Sequence, residues 1–129
     1  MSSNRVLVVE DDPSVRGLLQ TILEDEALEV ILAADGEEGL ELARTVDPDV
    51  VLLDVMMPGL GGPDVIRRLR QPDGSLPFAV LVVTGAPDVI APLRSELGFE
   101  AVLEKPFDII TLATRVKSLA SGDAPGERP

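Results

Sequence analysis

The sequence predicts an α/β domain: one parallel sheet with helices on both faces. Short, almost unbroken apolar runs alternate five times with stretches whose apolar residues recur at helical spacing. The apolar runs lack the in–out alternation of a half-exposed sheet, so both of their faces must be covered. There is no internal repeat, and 129 residues suit one domain around one core.

Taken in order, "RVLVV" at 5–9 is the first strand. Val15, Leu18, Leu19, Ile22 and Leu23 then form the apolar face of a helix that starts at Asp12–Pro13, a cap followed by a proline at the first helical position. "LEVILA" (28–33) is the second strand, and Asp35 with Glu38 resembles a capping box opening a helix over Leu40 and Leu42. "DVVLLD" (49–54) is the third strand, and Val65, Ile66 and Leu69 mark the third helix. The loop "QPDGSLP" leads to "FAVLVVT" (78–84), the fourth strand, and Val89 or Ile90, Leu93 and Leu97 predict a helix after it. "EAVLEK" (100–105) is a short fifth strand, and Ile109, Leu112, Val116 and Leu119 give the last helix its apolar stripe. The domain is expected to span residues 1–120. Residues 121–129, "SGDAPGERP", carry no apolar anchor and are expected to be a disordered tail or a truncated linker.

Composition removes several function classes. The chain has no cysteine and no histidine, which excludes thiol chemistry, imidazole catalysis and Cys- or His-ligated metals. A formal charge of −12 argues against direct nucleic-acid binding and favours partners with basic patches. No apolar run approaches the roughly 20 residues of a membrane span, and "MSSNRVLVVEDD" turns acidic too early for a signal peptide. A cytoplasmic protein with no membrane contact is expected.

One stretch needs a chemical explanation. "VVLLDVMMPG" runs four apolar residues into a carboxylate, Asp54. Strands of a parallel sheet all point one way, so their last residues share one edge, where open sheets bind ligands. That edge should gather Glu10 and Asp11 from the first strand, Asp54 from the third, Thr84 from the fourth and Lys105 from the fifth. Two carboxylates 5 Å apart repel by about 3 kcal/mol at an effective dielectric near 20, and a divalent cation relieves that conflict. Oxygen-only ligands point to Mg²⁺, with Mn²⁺ as the other candidate. A lysine and a hydroxyl beside the metal would make a dianion pocket, with Asp54 as a carboxylate nucleophile. Each acid alone is more simply a turn or cap residue, and Asp12 and Asp35 are assigned to that plain role. Four strand ends carrying complementary chemistry at once favour a site. Met56 and Met57 are read as packing residues.

These residues also resemble a known family, the receiver domains of bacterial two-component response regulators. "VLVVEDDPSVR", "DVVLLDVMMPGLGG", "AVLVVTG" and "LEKPF" carry the resemblance over residues 5 to about 120. It implies a flavodoxin-like (βα)5 fold with strand order 2-1-3-4-5. It further implies Asp54 as phosphoacceptor; Asp11, Asp54 and the backbone carbonyl of Met56 as Mg²⁺ ligands, with Glu10 acting through water; Thr84 as switch hydroxyl; and Lys105 as the phosphoryl-binding lysine, followed by a cis peptide to Pro106. The partners implied are a histidine kinase or histidine phosphotransfer protein and a downstream effector, the receiver being a monomer or a phosphorylation-dependent dimer. It would be no enzyme in its own right, catalysing only its own phosphorylation and dephosphorylation.

Three departures from the family pattern stand out. Val102 replaces the usual aromatic of the switch, Pro87 and Pro92 interrupt the expected fourth helix, and "GLGGPD" is glycine-rich enough to loosen the start of the third. Coupling is therefore expected to run through residues 84–93 rather than Val102. Two rival readings remain: a degenerate receiver acting as a phosphorylation-independent scaffold, and an aspartate-nucleophile phosphatase of the haloacid dehalogenase type. Met56 stands where the latter class has a second aspartate.

Overall fold

The computed structural model describes residues 4–55, 59–85 and 101–121. The chain runs β1 (Arg5–Val9), α1 (Pro13–Glu24), β2 (Glu29–Ala33), α2 (Gly36–Thr45), β3 (Val50–Asp54), α3 (Gly62–Leu69), β4 (Ala79–Thr84), β5 (Ala101–Glu104) and a C-terminal helix (Ile109–Ala120). The five strands form one parallel sheet in the order β2-β1-β3-β4-β5. The α/β class, the sheet and its order are as the sequence and its resemblance led one to expect. Strand ends differ by a residue: Leu28, Asp49 and Phe78 precede their strands, and Lys105 follows β5. The expected helix over residues 87–97, the tail beyond residue 121 and Met56 lie outside the described residues.

Alternate strand residues build two apolar layers. Leu7, Val9, Val51, Leu53, Val80 and Val82 meet Leu40 and Ala43 of α2 and Val65, Ile66 and Leu69 of α3. Val6, Val8, Val50, Leu52, Leu81, Val83 and Leu103 meet Leu19 and Leu23 of α1 and Leu112, Val116 and Leu119 of the C-terminal helix. Each buried Leu or Val contributes about 1.5–3 kcal/mol relative to exposure, so the central strands are held rigidly between two layers. That rigidity fixes the strand ends.

The caps behave as their residue types dictate. The Asp12 carboxylate accepts the N–H groups of Ser14 (2.9 Å) and Val15 (3.4 Å), and Asp35 accepts that of Glu38 (2.8 Å). Glu38 reaches back to the N–H of Ala34 (2.6 Å), one residue before the cap. Two apolar assignments need correction. Leu18 and Ile109 are each 51% exposed. Leu18 stands about 100° round α1 from buried Leu19 and misses the sheet; Ile109 opens its helix and lines a groove beside α1 instead of the core. The glycine-rich start of α3 has no side-chain cap bond, but it is not loose: Gly62 is buried, and a Cβ there would lie 2.9 Å from Val55 Cα and 3.1 Å from the Asp54 carbonyl.

Candidate functional site

Register brings the strand ends together. Val9 pairs with Leu53, so the next residues, Glu10 just past β1 and Asp54 at the end of β3, stand side by side at the sheet edge. Asp54 pairs with Val83, and Thr84 with Glu104, which puts Thr84 and Lys105 at the same edge. Carboxylate oxygens of Glu10, Asp11 and Asp54 all lie within 4.8 Å of one another. Lys105 Nζ lies 3.2 Å from Asp54 Oδ2, and the Lys105 N–H donates to the Thr84 carbonyl at 2.7 Å, locking β5 to β4 at the site. The Lys105–Pro106 peptide is cis.

The polar groups here are unusually enclosed: Glu10 is 4% exposed, Asp54 6% and Thr84 1%, whereas Asp11 is exposed and Lys105 half-buried. Burial pushes the Glu10 carboxyl from 4.5 up to about 7. The Asp12 N–H, which donates to Glu10 Oε2 at 3.1 Å, pulls it back. The Asp54 charge pushes it up again, Lys105 lowers it, and the Asp11 side chain raises it. A buried glutamate that resists ionising, with two further acids within reach, is what a hard cation with oxygen ligands would relieve, so the donor set fits a divalent metal.

Of the residues singled out from sequence, Glu10, Asp11, Asp54, Thr84 and Lys105 converge. Met56 is outside the described residues. Val102 does not join them: it is half-buried against the α2–α3 layer, and its carbonyl accepts Arg115 Nη1 at 3.1 Å.

The sequence profile of the response regulator receiver domain matches residues 6–117. The chain belongs to that family. Among curated relatives of this receiver domain, the alkaline phosphatase synthesis regulator PhoP of Bacillus subtilis is 40% identical over 91% of the chain, and the DNA-binding response regulator MtrA of Mycolicibacterium smegmatis 39% identical over 88%. Those matches cover 48% and 49% of the relatives, so the chain spans about half of their length. A CheY-like receiver domain protein from Methanospirillum hungatei superposes with a TM-score of 0.84 at 26% identity, covering 95% of this chain and 97% of that one. The chemotaxis protein CheY4 of Vibrio cholerae gives 0.81 at 28% identity, covering 92% and 99%. The receiver thus belongs to two-component signalling, and no helix among its described residues is long and apolar enough to cross a membrane.

Two contributors to the site carry no signature in the sequence. Arg16 Nη1 donates to the carbonyls of Glu10 (2.9 Å) and Asp11 (3.4 Å). Gly62 lets α3 begin against the end of β3 that carries Asp54. Neither contact follows from spacing, because both depend on how a helix seats on the sheet.

Proposed function

We propose that this receiver takes a phosphoryl group onto Asp54 in a Mg²⁺-assisted transfer from a phosphohistidine of a kinase or phosphotransfer protein. The observation that carries the proposal is the convergence of a buried acid, two further acids and a lysine at one sheet edge. An Asp54 oxygen attacks phosphorus, the P–O bond forms as the P–N bond breaks, and the imidazole leaves with its electron pair and takes up a proton. Asp11 and Asp54, with Glu10 acting through water, would hold Mg²⁺, which would supply positive charge for the phosphoryl oxygens.

The chain's own residues do the remainder. Lys105 moves from Asp54 to a phosphoryl oxygen, and the Thr84 hydroxyl donates to another. Water attack on phosphorus returns inorganic phosphate and free Asp54, so the receiver turns over only its own modification. The product is an altered surface read by an effector, as a monomer or a phosphorylation-dependent dimer, in the cytoplasm. With no histidine in the chain, the donor is another protein or domain.

Phosphoramidate, a small P–N donor, tests this reading. Intact-mass measurement should show one added phosphoryl group with Mg²⁺ and none with a chelator. No incorporation under either condition would favour a phosphorylation-independent scaffold.

A further inference from the structure

We infer that Arg16 is a positioning residue for the acidic site, holding the backbone from which Glu10 and Asp11 project. The inference rests on the metal-assisted reading above. Glu10 is the first residue past β1, and its N–H still bonds across to Ala33 O at 3.1 Å. Its carboxylate is fixed by the Asp12 N–H at 3.1 Å. Its carbonyl accepts a side chain instead of a strand: Arg16 Nη1 at 2.9 Å, with the Asp11 carbonyl sharing the same nitrogen at 3.4 Å. Arg16 sits in the first turn or so of α1, whose start is set by the Asp12 cap and Pro13. The guanidinium therefore ties the β1–α1 connection to the helix, and two of the three clustered acids hang from that connection.

Exposed Asp11 has most to lose from slack here, because no strand pairing involves it. Residues that orient ligands from behind change metal affinity about ten- to hundredfold when removed. Charge alone predicts the opposite sign: deleting a cation beside a cation site should tighten binding. The direction of the change separates the two roles.

The test is a Mg²⁺ titration of the intact chain, read by amide chemical shifts of residues 10–12 and 54, with thermal unfolding of the metal-free protein alongside. Arg16→Met should weaken binding about tenfold or more, and Arg16→Lys, which keeps a donor, should recover most of the loss. Metal-free melting temperatures of the two variants should not account for the difference. If Arg16→Met does not fold, Arg16→Leu, which also lacks a donor, carries the same comparison. Wild-type titration with an unchanged or tighter constant in the Met or Leu variant overturns the role of Arg16 alone. No saturable response in the wild type overturns the metal reading and this role together.

Discussion

Lys105 Nζ lies 3.2 Å from Asp54 Oδ2, and the two side chains differ sharply in exposure, 36% against 7%. A buried acid is thus held by a cation that reaches solvent and can change partner without disturbing the core. Truncating it, as in Lys105→Met, should cost about 1–2 kcal/mol in the metal-free protein, less than a fully buried pair because the lysine is partly hydrated. The same change removes a positive charge from the metal's surroundings, so Mg²⁺ should bind more tightly while phosphoryl transfer slows. Melting curves and a Mg²⁺ titration check both signs, and weaker Mg²⁺ binding would contradict the charge argument.

Glu10 sets a pH dependence. Its carboxyl is pushed up from 4.5 to about 7, mainly by burial. Between those values the folded, metal-free protein keeps a proton that the unfolded chain has released. Stability on this account is fully present below pH 4.5 and is lost as pH rises through about 7. Glu10→Gln should flatten that decline in melting temperature between pH 5 and pH 8 as a difference from wild type. Because ligands bind a metal deprotonated, wild-type Mg²⁺ affinity should rise over the same interval.

Two glycines should respond oppositely to alanine. At Gly62 a Cβ would press on Val55 Cα at 2.9 Å, so Gly62→Ala should destabilise by about 1–3 kcal/mol and displace the end of β3. At Gly17, within α1, nothing lies within 4 Å of the added carbon. Gly17→Ala should stabilise by about 0.5–1 kcal/mol through helix propensity. Denaturant unfolding of both variants measures the contrast.

Val102 is short, β-branched and half-buried, with little rotamer freedom at χ1. It should not swing between states as an aromatic would. Beryllofluoride, a phosphoryl mimic, should shift the amides of Thr84 and Gly85 strongly and those of residues 101–104 weakly. The reverse pattern would place the switch on β5.

Much of this was legible in the sequence because parallel strands advertise themselves as apolar runs, and because a shared direction forces their last residues to one edge. Glu10, Asp11, Asp54, Thr84 and Lys105 could be brought together on that argument alone. Leu18 could not be placed, since helical spacing gives a face but not the width of sheet beneath it. Gly62 was open to misreading for a similar reason: a glycine signals freedom or a close approach, and only the neighbouring backbone decides. Arg16 resembles any surface arginine until its guanidinium is seen on the Glu10 carbonyl.

The central claim is that Asp54 is the phosphoacceptor, and intact-mass analysis after treatment with acetyl phosphate and Mg²⁺ tests it most directly. Wild type should gain a single phosphoryl group, lost again over time as the acyl phosphate hydrolyses. Asp54→Asn should gain none, although it preserves the side chain's shape. Phosphorylation of the Asn variant to the wild-type extent would contradict the assignment.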